Sequence, residues 1–244
     1  MNKRRSLLQG LPAALMVFSA AISICAQSQS GKHNARPQPS ASAQAPATVV
    51  DTKPEAVKYT YEFSQPKFVV NHIVLEHDAN GRGTVTFERM NESTPVVEPL
   101  QLSASTLERI QAAWQALQFL ESETNFQSDK QFPHLGTMKI GVERGDRKRV
   151  AEFNWTNNTD ASTLVNEYRK AADQAILIFD ISVARENQPL GVPKLIEVME
   201  SMLKRNALSD PRQLLKLLED LSTDEHVPLI ARNHAQRLIK KIQK

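Results

Sequence analysis

Two runs of β-branched residues, joined by a short polar turn, constrain the fold more than any other part of the sequence. Residues 67–77 read KFVVNHIVLEH and residues 83–90 read GTVTFERM. Between them, residues 78–81 read DANG, and the Asn and Gly of this turn tolerate positive φ angles. Runs of this composition around such a turn are typical of an antiparallel hairpin. The chain is therefore predicted to contain a sheet.

Alternation of polar and apolar residues predicts three further strands. Residues 59–63, YTYEF, and residues 138–143, MKIGVE, each place apolar side chains on every second position. Gly145-Asp146 then turns the chain into a returning strand at 149–155, RVAEFNW. Because the aromatic residues of these strands recur at strand spacing, we interpret them as core residues, with a ligand-stacking strip as the alternative.

Helical spacing predicts one helix after each group of strands. Ser105 and Glu108 form a capping box at the start of the first helix. Asp160 is the predicted N-cap of a second helix that runs to about Glu186. Strands, helix, strands and helix in this order predict an α+β domain at 58–188. This domain is predicted to have two layers. One is an antiparallel sheet built from two hairpin-then-helix units, and the other is formed by the two helices, both on one face of the sheet.

The last part of the chain contains helical patterns only. We predict a helix at 192–205, a second that begins at Asp210 with Pro211 in its first turn, and a third at 227–242. Residues 189–244 are therefore predicted to form an all-helical C-terminal cap on the sheet domain.

The last two helices resemble a HEAT-type helical hairpin. The matching residues are LLKLLEDL at 214–221, the acidic turn at 223–225, and Pro228, Arg232, Ala235 and Ile239. The resemblance covers about 30 residues, whereas a solenoid needs several repeats to be stable. It implies a protein-binding surface on the cap rather than a repeat array.

Four short stretches also resemble a family of exported bacterial proteins of unknown function. They are HIVLEHD at 72–78, AEFNWT at 151–156, MLKRN at 202–206 and ARNHA at 231–235. The resemblance extends from about Phe63 to the C-terminus. It implies an exported protein and no particular activity, so no functional residues follow from it.

The N-terminal segment is typical of an export signal. Three cations at 3–5 precede an apolar run at 11–24, which is shorter than the about 20 residues that a membrane-spanning helix needs. We predict a signal peptide at 1–26, cleaved after Ala26, and therefore a periplasmic or secreted protein. Two alternatives would leave the protein membrane-anchored: retention of the uncut segment, or lipidation of Cys25.

The excess positive charge of the chain lies in this predicted signal. The chain has 30 basic and 27 acidic residues, and residues 1–26 hold three of the basic residues and none of the acidic ones, so cleavage leaves 27 of each. A neutral mature chain does not favour a nucleic-acid partner. Residues 27–57 are rich in Ser, Pro, Ala and Gln, and this composition predicts a disordered linker.

Motifs for nucleophilic catalysis are weak. Ser201-Met202-Leu203-Lys204 and Ser64-Gln65-Pro66-Lys67 match the Ser-x-x-Lys pattern of penicillin-binding enzymes. The Lys-Thr-Gly and Ser-Asp-Asn partner motifs of those enzymes do not occur in the chain. We therefore predict no catalytic residue.

Motifs for metal binding have simpler structural interpretations. Asp78-Ala79-Asn80-Gly81 resembles the opening of a calcium loop, but Arg89 stands where that loop needs a bidentate Glu. His72 lies among apolar residues of a predicted strand, which favours a hydrogen-bonded core or sheet-face histidine. We predict no metal and no cofactor.

The leading hypothesis is an exported, non-enzymatic binding or scaffold protein of unknown role. Its predicted partner is another envelope protein, bound on the helical cap or at an open sheet edge. A membrane would be a partner only if the signal is retained or Cys25 is lipidated. The candidate partner surface is the basic C-terminal helix, with Arg232, Arg237, Lys240 and Lys241; a solvated basic helix end is the alternative. The alternative function is an enzyme that acts on an envelope polymer or small ligand, with a site assembled from distant residues.

Overall fold

The sheet contains all the predicted strands and one more. A computed structural model describes residues 56–244. Its six strands are antiparallel and lie in the order β4-β3-β2-β1-β5-β6. The strands are β1 (Val57–Ser64), β2 (Val70–Asp78), β3 (Arg82–Arg89), β4 (Val96–Gln101), β5 (Thr137–Arg144) and β6 (Arg147–Phe153).

Two helices pack on the sheet and three follow them. They are α1 (Ala104–Leu117), α2 (Thr159–Asn187), α3 (Val192–Lys204), α4 (Leu215–Thr223) and α5 (Leu229–Ile242). The α+β class and the all-helical C-terminal segment are thus confirmed. Asp210 caps the short 3₁₀ turn Pro211–Leu214 that leads into α4, because its side chain accepts a hydrogen bond from the backbone of Arg212.

The strand missing from the sequence prediction is β4. Together with the predicted strand at 59–63 and the central hairpin, it makes the first unit four strands followed by a helix, which differs from the predicted hairpin-then-helix unit. Pro99 lies within β4 and hides the strand pattern, since proline cannot donate to a ladder of hydrogen bonds. β4 is an edge strand, where a proline is tolerated.

Both helix caps in the sheet domain differ from the predicted ones. Ser103, not Ser105, caps α1, and its hydroxyl accepts a hydrogen bond from the backbone of Thr106 at 3.3 Å. Asn158, not Asp160, caps α2. Ser103 and Asn158 have the extended backbone that an N-cap requires, whereas the predicted caps already lie in the first helical turn.

The two faces of the sheet differ in character. One face carries the apolar side chains of alternate strand positions and packs under α1 and α2; its fully buried members include Tyr61, Leu75, Val85, Phe87 and Ile140. The opposite face carries polar and charged residues such as Lys58, Glu62, Glu76, Lys139 and Lys148. No described element covers this open face.

Helix α2 is shared by two hydrophobic cores. Leu164 and Tyr168 in its first half are buried against the sheet. Leu177 and Ile181 in its second half are buried against α3, α4 and α5. The sheet and the C-terminal helices therefore form one compact unit.

Polar contacts fix the C-terminal helices on the sheet domain. The hydroxyls of Thr106 on α1 and Ser209, before α4, lie 3.0 Å apart, and both residues are buried. Arg185 on α2 donates to Asp224, at the end of α4, at 2.6 Å. These contacts hold the all-helical segment in one position relative to the sheet.

Several predictions fall on residues that the structure does not describe. These are the signal peptide at 1–26, the cleavage after Ala26, the lipidation of Cys25 and nearly all of the linker at 27–57. Strand β1 begins at Val57. Between residues 56 and 244, none of the helices combines the length and the hydrophobicity needed to cross a bilayer.

Candidate functional site

Three of the four residues of the predicted basic surface on α5 lie on one exposed side of the helix. At about 100° per residue, Arg232 and Lys241 point to opposite sides of the helix. Lys241 lies 3.7 Å from Glu200 on α3, whereas Arg232 is half-buried and its Nε atom has no hydrogen-bond partner among residues 56–244. Arg237, Lys240 and Lys241 are all exposed and lie within about 100° of one another around the helix. Three of the four cations therefore share one side of α5, and Arg232 lies apart from them.

Two of the motif interpretations find clear structural explanations. Asp78 accepts hydrogen bonds from the backbone of Asn80 at 2.8 Å and of Arg82 at 2.9 Å, so its carboxylate stabilises the hairpin turn. His72 lies on the open sheet face, where its ring nitrogens contact Glu88 at 3.0 Å and Glu62 at 3.3 Å. The hydrogen-bonded sheet-face histidine is confirmed.

The Ser-x-x-Lys motif at 201–204 lies on the exposed side of α3. Lys204 Nζ lies 3.0 Å from Glu200, which occupies the amine that such a motif would need as a base. Across the part of the chain that the structure describes, no three His, Cys, Asp or Glu side chains are placed to hold a metal ion.

A buried network of hydrogen-bonded side chains links β2, α1 and α2. Tyr168 Oη lies 2.8 Å from His77 Nε2 and 2.9 Å from Trp114 Nε1. His77 Nδ1 lies 2.7 Å from the carbonyl oxygen of Asp78. Because that carbonyl can only accept, Nδ1 carries the proton. Tyr168 therefore donates to Nε2 and accepts from the Trp114 indole.

The hydrogen bonds that join His77, Tyr168 and Trp114 are structural and not catalytic. Burial lowers the pKa of His77 and raises that of Tyr168, so both are neutral. Every ring nitrogen and the hydroxyl already has a partner, and His77 is only 2% exposed. A general base needs a free nitrogen within reach of a substrate proton, which His77 does not offer.

The strongest candidate for a functional site is a pocket between the sheet and α2, which we call the Arg169 pocket. It encloses about 580 Å³ beneath the loop that joins β1 to β2. Its lining residues are Tyr61, Phe63, Lys67, Phe68, Val69, Val70, Ile73, Arg169, Ala172 and Asp173. Apolar side chains with a few convergent polar groups are the usual composition of a ligand site.

The polar groups of the pocket are electrostatically coupled. The Arg169 guanidinium lies 5.1 Å from the ring centre of Phe63, a cation–π distance. Burial raises the pKa of Tyr61 to about 12, and the neighbouring Arg169 limits that rise. Asp173 lines the same pocket, and the protein atoms around its carboxylate raise its pKa, again against the pull of Arg169.

The loop over the pocket is held by hydrogen bonds rather than left open. Gln65 is buried; its side chain donates to the carbonyl of Pro133 at 2.9 Å, and its own carbonyl accepts from Phe68 at 3.0 Å. Met90 donates from its backbone to Val69 at 3.0 Å. The lining is therefore pre-organised, which lowers the entropy cost of binding.

An apolar patch continues from the pocket onto the surface. Phe68 is 44% exposed, Val69 76% and Met90 52%. The three belong to the same loop and the adjoining end of β3, and Arg89 and Asp180 border them in a neighbouring depression. Contiguous exposed apolar side chains with a charged border are typical of interaction sites.

The sequence pointed to two aromatic residues of this pocket but not to its two charged residues on α2. Tyr61 and Phe63 belong to the aromatic strip that was interpreted as core packing, and both are buried as well as lining the pocket. Arg169 and Asp173 were missed. Their spacing of four residues places them on one side of α2, but nothing local indicates that this side faces the β1–β2 loop.

Comparison with known proteins gives no assignment for this chain: no model of a known protein family matches it, and no curated protein matches it significantly.

Proposed function

We propose that the protein is a non-enzymatic binding module of the bacterial envelope, and that the Arg169 pocket and its apolar patch take an extended segment of another envelope protein. The observation that carries the proposal is the joint occurrence of an apolar floor, two cations and an adjoining exposed apolar patch. The segment would combine large apolar side chains with an acidic side chain.

The pocket lining favours binding over catalysis. It contains no serine, cysteine or histidine. Its tyrosine is a weak acid with a raised pKa, so it is poorly suited to proton transfer near neutral pH. The enzyme alternative, with a site assembled from distant residues, would have its best starting point in the hydrogen-bond network of His77, Tyr168 and Trp114. Every polar atom of that network already has a partner.

The charges of the pocket favour an acidic partner. Lys67 and Arg169 oppose the single carboxylate of Asp173. A guanidinium can bind a carboxylate through two parallel hydrogen bonds, and such charge-assisted bonds are stronger than neutral ones. The neighbouring Phe68 and Val69 would then bury apolar side chains of the same segment.

The proposed location rests on the N-terminal sequence. Export with cleavage after Ala26 would place the pocket in the periplasm or outside the cell, and a retained signal or a lipidated Cys25 would hold it at the membrane. The mass of the N-terminal peptide from the native envelope distinguishes the three forms.

Site-specific photo-crosslinking in the native envelope tests the binding site. A photoreactive residue is placed at Val69, beside the pocket, or at Ile230, on the helical cap. The two positions are matched because both are exposed apolar residues, at 76% and 67%. We expect a saturable protein adduct from Val69 and none from Ile230.

A second substitution makes the result specific to the pocket. Arg169→Ala should abolish the Val69 adduct, whereas Arg237→Ala, at an exposed arginine on α5, should leave it unchanged. An adduct from Ile230 alone would move the site to the cap. Absence of a protein adduct at both positions would contradict the binding-module proposal.

A further inference from the structure

The two edges of the sheet are treated differently by the rest of the chain. At the β4 edge, Pro99 has no N–H to offer, and the Gln213 side chain donates to the carbonyl of Gln101 at 2.9 Å. At the β6 edge, β5 is the one described strand that pairs with β6, and Lys148, Val150 and Glu152 make no backbone–backbone hydrogen bond outside that ladder within residues 56–244. One edge is closed and the other is open.

The direction of the backbone groups in β6 follows from the register. The two-residue turn Gly145-Asp146 closes on the pair Arg144 and Arg147. In an antiparallel ladder every second residue bonds to the neighbouring strand. Arg147, Arg149 and Ala151 therefore bond to β5, and the backbone groups of the residues between them point outward.

An independent check comes from the opposite edge. In each strand, residues bond alternately to the two sides. When this alternation is followed from β6 across the five ladders, the residues of β4 whose backbone groups point outward are Val97, Pro99 and Gln101. Pro99 is thus at a position where the missing N–H breaks no ladder bond, and Gln101 is where its carbonyl can meet Gln213. The same register therefore assigns the outward groups of β6 correctly.

The open edge is complementary to itself. Its outward residues run Lys148, Val150, Glu152, and all three side chains are exposed on the open face of the sheet. If two β6 strands pair antiparallel about Val150, Lys148 of each copy lies opposite Glu152 of the other. The two valines, each 56% exposed, meet at the centre.

Charge selects this register over its neighbours. A pairing centred on Lys148 would set lysine against lysine, and one centred on Glu152 would set glutamate against glutamate, which destabilises a cross-strand pair. A shift of one strand by one residue would set outward backbone groups against inward ones. Pairings centred on Arg149 or Ala151 keep outward groups together but place Lys148 or Glu152 opposite Val150. Only the pairing centred on Val150 sets each Lys148 opposite Glu152 of the other copy.

Contacts on the helix-facing side leave this edge accessible. Arg149 reaches the carbonyl of Phe119 at 2.5 Å and that of Thr124 at 2.7 Å from that side of β6. Lys148 and Glu152 have side chains that are 66% and 60% exposed. Their present partners, Glu143 and Lys139, lie on the neighbouring strand and can remain in place.

We propose that β6 is a homodimer interface in which two copies of this chain pair antiparallel about Val150 and join their sheets into one of twelve strands. Three facing pairs of residues would exchange six backbone hydrogen bonds, two for each pair. Two Lys148–Glu152 pairs would border the central valines on the open face.

A charge swap tests the pairing in the purified protein by sedimentation velocity over a concentration series. Lys148→Glu and Glu152→Lys should each weaken self-association by about tenfold or more, because each change creates two like-charge pairs. The double variant Lys148→Glu/Glu152→Lys should restore it. A mixture of the two single variants should form a heterodimer, since all facing charges are then opposite.

Val150→Pro provides a backbone test that the monomer should tolerate. It copies the device at Pro99, because the N–H it removes points outward. We expect a folded monomer with an unchanged circular dichroism spectrum. A monomer mass for the unsubstituted chain at every concentration would overturn the proposal, and so would a dimer that none of these substitutions weakens.

Discussion

The hydroxyl of Tyr168 on α2 lies 2.8 Å from Nε2 of His77 on β2, although the two residues are 91 positions apart in the chain. The same hydroxyl accepts a hydrogen bond from Trp114 on α1. One oxygen atom thus joins the sheet to both covering helices. Its loss would leave two buried polar groups without partners.

Tyr168→Phe should therefore be strongly destabilising. An unsatisfied buried donor or acceptor costs about 1–3 kcal/mol, and this substitution leaves the Trp114 indole and His77 Nε2 unpaired. Tyr59→Phe is the matched control, since Tyr59 is also a core residue but takes no part in the hydrogen bonds that join His77, Tyr168 and Trp114. Urea unfolding of both variants measures the difference, and equal losses would refute a special role for Tyr168.

Stability should depend on pH through His77. Burial lowers its pKa in the folded state below the ordinary value near 6.5. Below that value the unfolded chain binds a proton that the folded chain does not, so the free energy of unfolding should fall as pH drops from about 6.5 toward the folded pKa. Above about 6.5 the contribution is complete. His77→Gln should have a flatter profile of Tm against pH across this window, and a parallel profile would contradict the assignment.

Two glycines should respond to alanine in opposite ways. Gly136 has φ of 91°, and a Cβ there would lie 2.6 Å from the Phe63 ring and 2.8 Å from the Ser64 carbonyl. Gly136→Ala should therefore cost roughly 1–3 kcal/mol from backbone strain, with the contacts adding to it. A Cβ at Gly191 would meet nothing within 4 Å. Gly191→Ala should be neutral or stabilise by about 0.4–1 kcal/mol through the unfolded state. Thermal unfolding of the two variants distinguishes these effects.

The two cores joined by α2 should unfold together. Leu164→Ala in the first core and Ile181→Ala in the second should each cost about 2–5 kcal/mol, because both side chains are fully buried. The fluorescence of the two tryptophans, Trp114 and Trp155, reports on the sheet domain, and circular dichroism at 222 nm reports on the helices of both cores. We expect the two signals to give the same loss in the free energy of unfolding for each variant. Val183→Ala, at a 40% exposed position, should change that free energy by no more than about 0.5 kcal/mol in either signal. An early loss of helix with unchanged fluorescence in Ile181→Ala would show that the C-terminal helices unfold separately.

Local patterns were sufficient for most of the secondary structure. Alternation around Tyr61 and in β5 predicted strands, because a strand turns successive side chains to opposite faces. The DANG turn predicted the central hairpin. β4 was missed because Pro99 interrupts its pattern, and the caps at Ser103 and Asn158 were missed because several polar residues near each helix start could serve.

The candidate sites depended on contacts that no local pattern contains. Tyr61 and Phe63 could be predicted to face a core, but not to share a pocket with Arg169 from more than a hundred residues later in the chain. The basic residues of α5 form a dense cluster in the sequence. Only the helix separates the half-buried Arg232 from the three exposed cations.

The sequence by itself determined the elements of this protein, their order and the α+β class, because strand and helix periods are properties of neighbouring residues. Only the tertiary structure decided which groups meet and which remain open: the His77–Tyr168 contact, the Arg169 pocket, the closed β4 edge and the open β6 edge. The physical reason is that hydrogen bonding and burial at these places are fixed by strand order and helix packing. These bring together residues too distant in the chain to leave a mark in its local pattern.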